Sequence, residues 1–256
     1  MDSSADAILK CIQDISGLTF SSFLVLHLAA PIAAGVVSSS SAEAVASSVQ
    51  LATRVIYQDG RIREFLLVWG SLGTHVVVSV VRRIARLNRR RKLRAQLEDA
   101  ARRAEPRTRS PRKGRSDAHP PLLELLKAYL PKTSHSIAAY LGLPFLVDHI
   151  LNHRLRGLPS HRSYGYVAYN LQQRPISSCL KYAALVVPLT YHALISLWYM
   201  NKKHVQNSKS SNLSILEAQQ SVSARLAWFG LIGAVGFGIR KMAREEISPW
   251  LARRYK

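Results

Sequence analysis

The sequence contains few cysteines and few acidic residues. Its 256 residues include two cysteines, Cys11 and Cys179, which lie far apart and form no CxxC pair. This arrangement excludes a disulfide scaffold, a zinc ribbon and a thioredoxin-like motif. Asp and Glu number 15 against 36 Lys and Arg, so the formal net charge is +21. The motifs GxSxG, HExxH and the P-loop are also missing, and we therefore expect a protein that is not an enzyme.

Formal charge is nearly missing from five apolar segments. Each contains at most one Asp, Glu, Lys or Arg, and the segments cover residues 15–37, 65–81, 134–151, 179–200 and 226–239. A helix needs about 20 apolar residues, in a range of about 17–25, to cross a bilayer core. The last segment is shorter, but Arg225 and Arg240 at its ends can extend to the interfaces. The sequence therefore predicts an all-α, multi-pass membrane helical bundle with five transmembrane helices.

The alternative for these segments is a set of buried helices in a soluble domain. Such helices normally have a polar stripe with a period of 3.6 residues. The first, second and fourth segments have only Ser, Thr, Gly, Tyr and His on their remaining faces, apart from Lys181 at one edge. These residue types suit contacts between helices in lipid, so the pattern favours a membrane protein.

The chain also contains an internal repeat. With a shift of 122 residues, FLVLH at 23–27 aligns with FLVDH at 145–149. With a shift of 117 residues, the second segment aligns with the fourth, and His75 meets His192. The sequence therefore predicts two copies of a two-helix unit plus one extra helix. The predicted regions are a first membrane repeat (1–84), a basic and partly disordered linker (85–133), a second membrane repeat (134–204), and a fifth helix with a basic tail (205–256).

Each of the four repeated helices carries one histidine inside its apolar segment: His27, His75, His149 and His192. Ionisable side chains within a membrane are costly and indicate function by default. One histidine on each of four packed helices is what bis-histidine ligation of haem b in a bundle requires. The four residues are therefore candidate haem ligands. Two other interpretations stay open, namely hydrogen bonds that hold the helices together and an ancestral haem site without its cofactor.

Asp148 is the only acidic residue within the five segments. It stands near the end of its segment, and basic residues follow it at positions 154 and 156. We expect an ion pair with Arg154 or Arg156 at the membrane interface rather than a proton relay.

The linker after the second segment is strongly basic. Residues 82–116 carry 15 Lys or Arg against Glu98, Asp99 and Glu105. No aromatic residue is interleaved to stack on bases, so nucleic-acid binding is not expected. A basic run beside a membrane span instead favours contact with anionic lipid headgroups, and a solvated determinant of topology is the alternative. The candidate headgroup contacts are Arg82, Arg83, Arg86, Arg89, Arg90, Arg91, Lys92 and Arg94.

Basic residues also predict the orientation of the chain. With five spans, the N-terminus, the basic linker and the loop between the fourth and fifth spans share one side of the membrane. That side carries most of the Lys and Arg, which favours a cytosolic N-terminus and a cytosolic linker. No cleavable targeting peptide is recognised before the first span.

The chain resembles one protein family in four features. They are the pattern SG-x-x-F-x-x-FL-x-x-H at 16–27, its partial repeat at 145–149, a loop with Tyr and Gln, and a span with a central histidine. This family is the fungal MCP-type adapter proteins of the mitochondrial outer membrane, whose transmembrane domain is similar to the cytochrome b subunits of succinate dehydrogenase and fumarate reductase. The resemblance covers roughly residues 8–240. It implies a multi-pass outer-membrane protein in lipid homeostasis, which recruits a bridge-like lipid-transfer protein at vacuole–mitochondria contacts. The recruiting Pro-x-Pro peptide of that family is not present in this sequence.

Three functions therefore stay open on the sequence. The first is a non-enzymatic adapter in lipid homeostasis at organelle contact sites. The second is a b-type cytochrome of the succinate dehydrogenase-like fold, with the four histidines as ligands. The third is a lipid scramblase that uses polar faces of the bundle, for which the sequence has no distinctive mark.

Overall fold

The computed structural model describes residues 3–37, 41–104, 130–155, 163–206, 213–245 and 253. Within these ranges the chain is almost entirely helical and has no β-strand, which confirms the all-α prediction. Two π-helical turns, π1 before α4 and π2 after α5, continue the α-helices. The elements are α1 (Ser3–Val36), α2 (Ala42–Gln58), α3 (Arg61–Glu64), π1 (Phe65–Gly70), α4 (Ser71–Ala104), α5 (Ser134–Ile150), π2 (Leu151–Leu155), α6 (Tyr164–Gln173), α7 (Pro175–Gln206) and α8 (Leu213–Arg244).

Four helical stretches in the described residues are long and apolar enough to cross a bilayer. They are Ser4–Val36, Arg61–Ala101, Pro175–Asn201 and Val222–Arg244. The third predicted segment forms α5, which has 17 residues and a length of about 26 Å at 1.5 Å per residue. This length is less than the bilayer core of about 30 Å. The structure therefore supports a membrane protein with four candidate spans, and the prediction of five is not confirmed.

Local sequence explains several helix ends. Gly60 connects α2 to α3 with a φ of 90°, a conformation that glycine adopts without the steric cost of a Cβ atom. Thr133 precedes α5, and its side chain accepts a hydrogen bond of 3.2 Å from the Ser136 amide. Pro175 begins α7, where its missing N–H costs no helical hydrogen bond.

Small residues bring the C-terminal half of α1 into contact with α2, α6 and α8. This core contains Ala30 and Ala34 of α1, with five residues of the other helices: Ala42, Ala46, Tyr164, Ala168 and Met242. Residues 30 and 34 of α1 thus contact other helices, as expected for a helix of a bundle. The predicted loop with Tyr and Gln is not a loop, because Tyr57 and Gln58 end α2.

The closest helix contact joins α1 and α8. A Cβ atom added to Gly238 would lie 1.7 Å from the carbonyl oxygen of Pro31, so only glycine permits this approach. Lys241, one turn further on, donates hydrogen bonds to the carbonyl oxygens of Gly35 and Val37 at the end of α1. These bonds satisfy acceptors that the helix end leaves unpaired.

Helix α4 lies antiparallel to α1 and continues beyond it. Gln13 contacts His75 and Ser79, whereas Arg82 donates a hydrogen bond to Asp6. The 34 residues of α4 extend about 51 Å at 1.5 Å per residue, and residues 91–100 are all exposed. The second apolar segment therefore continues as a helix into the basic part of the chain. The remaining linker, residues 105–129, lies outside the described ranges.

Candidate functional site: two histidine pairs and a cavity

The four predicted histidines form two facing pairs. The rings of His75 on α4 and His192 on α7 have centroids 6.0 Å apart and an interplanar angle of 74°. The rings of His27 on α1 and His149 on α5 have centroids 6.0 Å apart and an angle of 75°. The structure thus brings all four together as two pairs, rather than as one cluster.

Both rings of the His75–His192 pair are hydrogen-bonded to the main chain. Nδ1 of His75 lies 3.1 Å from the carbonyl oxygen of Gln13, and Nδ1 of His192 lies 3.1 Å from that of His135. A carbonyl can only accept, so each Nδ1 carries the proton and, in a neutral ring, each Nε2 is an acceptor. These contacts fix the tautomer and the orientation of both rings.

The two hydrogen bonds follow the internal repeat of the sequence. Gln13 and His135 are related by the shift of 122, as are His27 and His149, whereas His75 and His192 are related by the shift of 117. The hydroxyl groups of Ser79 and Ser196 likewise donate to the carbonyls of His75 and His192, at 2.6 and 2.7 Å. The same residue-to-residue contacts therefore occur in both halves.

The His27–His149 pair has different surroundings. His27 stacks on Phe23 with a centroid distance of 5.5 Å, and His149 contacts His153 at 4.6 Å. Nδ1 of His27 is buried and has no hydrogen-bond partner among the described residues. A buried polar atom without a partner costs about 1–3 kcal/mol.

A cavity of about 200 Å³ lies beside this second pair. Residues of α1, α2, α3, π1, α4, α5, π2, α6, α7 and α8 line it. Both His27 and His149 are among them, whereas His75 and His192 are not. Most of its walls are apolar side chains, including Leu24, Leu28, Leu72, Leu146, Val186 and Val235.

Charged and hydroxyl groups line another part of the cavity. The Arg154 guanidinium donates to both carboxylate oxygens of Glu64 at 2.6 Å, and Trp69 donates to Glu64 at 3.1 Å. Burial raises the pKa of Tyr57 on α2 and of Tyr164 on α6 above the ordinary value of 10. Both phenols are therefore neutral at physiological pH and keep their hydroxyl protons.

Asp148 is not paired with Arg154, one of its two predicted partners. Its carboxylate lies 3.7 Å from Nζ of Lys181 and accepts a hydrogen bond of 2.8 Å from Asn152, while Arg154 binds Glu64 instead. Arg156, the other predicted partner, lies outside the described residues. The pairing across helices with Lys181 replaces the pairing along the chain that sequence spacing suggested.

Comparisons with known proteins give no identification. No protein family, no curated protein and no solved structure matches this chain. The residues and contacts described here therefore carry the functional argument.

Each histidine pair meets only part of what a b-type haem requires. His75 and His192 have the ring hydrogen bonds typical of metal-ligating histidines, but they do not line the cavity. His27 and His149 line it, but about 200 Å³ is less than the roughly 300–1,000 Å³ of pockets for drug-sized ligands, and a porphyrin is at least that large. Among the described residues, no group of three or more His, Cys, Asp or Glu is placed to hold a metal ion.

The candidate headgroup contacts on α4 divide into two groups. Arg82 donates hydrogen bonds of 3.1 Å to Asp6 and 2.7 Å to Gln13, and 12% of its side chain is exposed. Arg83 lies over the ring of Tyr140, 5.6 Å from its centroid. These two arginines therefore face the bundle. The other six are exposed on the helix: Arg86, Arg89, Arg90, Arg91, Lys92 and Arg94.

Sequence reasoning missed His135 and His153 as members of the histidine clusters. The ring of His135 stacks on His192 with centroids 4.1 Å apart. His153 contacts both His149 and Tyr166. The spacing of four residues between His149 and His153 was a usable signal, because side chains at i and i+4 are neighbours on a helix.

Proposed function

We propose that this chain is a multi-pass protein of the mitochondrial outer membrane that acts as an adapter in lipid homeostasis and at organelle contact sites. The residue patterns that resemble the MCP-type adapters support this proposal. In it, the N-terminus and the basic linker are cytosolic, and membrane lipids with anionic headgroups are the principal partners. A lipid-transfer protein at vacuole–mitochondria contacts is a further proposed partner, bound by some element other than Pro-x-Pro.

The observation that carries the proposal is the basic extension of α4. An apolar stretch that can cross a bilayer continues without interruption into a helix with six exposed basic side chains. Each Lys or Arg near an anionic membrane surface contributes about 1 kcal/mol of attraction. A rigid helix that holds several such residues can bind the headgroups of its own or an opposing membrane.

The matched contacts around His75 and His192 support the proposed repeat of two units. An extra helix completes the bundle in this proposal, with α5 and π2 together crossing a locally thin membrane. Shorter helices are accommodated by thinning of the bilayer and by extended basic side chains.

Deletion of the gene tests the proposal. We expect altered mitochondrial lipid composition and fewer contact sites, both restored by the wild-type chain. A variant with glutamine at the six exposed basic positions of α4 should fail to restore them. The matched control exchanges Arg for Lys and Lys for Arg at the same positions, which keeps the charge and should restore function. Normal lipids and contacts in the deletion strain would contradict the adapter role.

A b-type cytochrome is the second candidate. The ring hydrogen bonds of His75 and His192 favour it, and the cavity volume opposes it. An absorption spectrum of the detergent-purified, dithionite-reduced chain decides between the two. A b-type α-band that disappears in His75→Phe would establish haem binding, and its absence from the wild type would remove this candidate.

A further inference from the structure

The cavity beside His27 has features that the proposed adapter role does not use. Its volume of about 200 Å³ exceeds the roughly 150 Å³ of an engineered apolar cavity that binds benzene. Apolar side chains from α1, α4, α5, α7 and α8 form most of its wall. A single ring, or the end of an acyl or isoprenoid chain, therefore has room inside it.

His27 contributes two hydrogen-bonding groups without their usual partners. Nδ1 of its ring is buried and has no partner among the described residues. Its main-chain carbonyl is the acceptor that residue 31 would normally bind in a helix, but Pro31 has no N–H to donate. Both His27 and Pro31 line the cavity. The mostly apolar cavity thus lies against a residue that has an unpartnered ring nitrogen and a carbonyl whose usual helical donor is missing.

The chemistry of these groups selects one kind of ligand. A hydroxyl group is both donor and acceptor, so it can donate to the carbonyl of His27 and accept from Nδ1–H. A hydrocarbon satisfies neither group, and a ketone cannot donate to the carbonyl. A carboxylate would have to enter mostly apolar surroundings as a charge, which is costly. Two arginines line the cavity, Arg54 and Arg154, and the second is already paired with Glu64.

We propose that this cavity binds an apolar alcohol, in the form of a membrane lipid whose hydroxyl-bearing end enters beside His27. The apolar body of the ligand contacts the leucine and valine side chains of the wall. Its hydroxyl group pairs with the ring or the carbonyl of His27. The site goes beyond the adapter role, and its occupancy does not depend on the basic helix.

The test uses the full chain in phosphatidylcholine nanodiscs and two probes of similar shape, 4-fluorophenol and 4-fluorotoluene. Fluorine NMR measures the binding of each probe relative to empty nanodiscs, which corrects for partition into lipid. We expect the wild type to bind 4-fluorophenol about tenfold more tightly than 4-fluorotoluene, the effect of one net hydrogen bond. Equal affinities, or no binding of either probe, would overturn the proposal.

Variants locate the site. His27→Phe keeps a ring and the main-chain carbonyl but removes Nδ1, so its preference for 4-fluorophenol over 4-fluorotoluene should decrease. Leu146→Trp fills the cavity and should abolish binding of both, whereas Leu143→Trp, on the same helix but outside the cavity, should bind as the wild type does. An undiminished preference for the alcohol in His27→Phe, or unchanged binding in Leu146→Trp, places the probe elsewhere and contradicts the site. If a variant does not fold, the two-probe comparison in the wild type decides alone.

Discussion

His75 faces His192, and His27 faces His149, across the same ring separation of 6.0 Å and at interplanar angles of 74° and 75°. Around the first pair, both Nδ1 atoms are bonded to main-chain carbonyls. In the second pair, Nδ1 of His27 has no partner among the described residues, and both rings line a cavity. Each pair thus joins two repeat-related histidines, and only the second pair has a member whose Nδ1 is buried without a partner; His135, stacked on the first pair, has such an atom too.

This difference separates stability from function. A hydrogen-bonded pair holds helices together, and its Nδ1 atoms are already used. A pair with an unpartnered atom beside a cavity costs stability, and a ligand that supplies the missing hydrogen bond can recover that cost. We therefore assign the His75–His192 pair to the architecture of the bundle and the His27–His149 pair to ligand binding.

Separation of α1 from α8 should disrupt the second pair and leave the first intact. In Gly238→Ala, the new Cβ would lie 1.7 Å from the carbonyl oxygen of Pro31, so the two helices must move apart at the cavity wall. We expect a loss of about 3 kcal/mol in the free energy of unfolding, typical of severe overpacking. Denaturant titration of the protein in detergent measures it, and NMR signals of the His27 ring should shift while those of His75 do not.

Gly236→Ala is the matched control for this change. Nothing lies within 4 Å of its added Cβ, and alanine in place of glycine within a helix stabilises by about 0.5–1 kcal/mol. Equal stability of the two variants would show that the contact between α1 and α8 is not as close as described.

Much of this architecture follows from the sequence. Apolar length predicted the candidate spans, and the two alignment shifts predicted which histidines are equivalent. In the structure, His27 faces His149, its equivalent under the shift of 122, and His75 faces His192, its equivalent under the shift of 117. Helical periodicity can be seen within one segment, and a repeat can be seen when the chain is aligned with itself. Both are therefore visible in a single sequence.

The remaining features depend on contacts between distant segments. Nothing in the sequence near Asp148 indicates that Lys181 would be closer than Arg154. Similarly, nothing in the sequence of the apolar end of α1 indicates that α2 and α6 pack on it. The cavity is lined by residues from several elements, and no spacing pattern in the sequence predicts that they meet.

The first pair has its own test in Gly17→Ala. The added Cβ would lie 2.9 Å from Nδ1 of His75, so the ring must move and its hydrogen bond to Gln13 must lengthen or break. We expect a loss of about 1–2 kcal/mol, composed of a lost hydrogen bond and local strain. Denaturant titration measures this loss, and binding of 4-fluorophenol beside His27 should stay unchanged.

Gly73→Ala serves as the control on α4, because its Cβ would meet nothing within 4 Å. It should be slightly more stable than the wild type, for the same reason as Gly236→Ala. If Gly17→Ala were as stable as Gly73→Ala, the His75 ring would not be held by the close contact with α1.

The smallest effect, and the most direct contrast, comes from the same substitution in each pair. His75→Phe removes a satisfied hydrogen bond and should destabilise the protein by about 1 kcal/mol. His27→Phe removes a buried polar atom that has no partner, so in protein purified without added alcohol it should stabilise by about 1 kcal/mol. Denaturant titration of both variants measures whether the free energy of unfolding falls or rises in each. A loss of stability in both would mean that Nδ1 of His27 is already satisfied, and the two sites would then be equivalent.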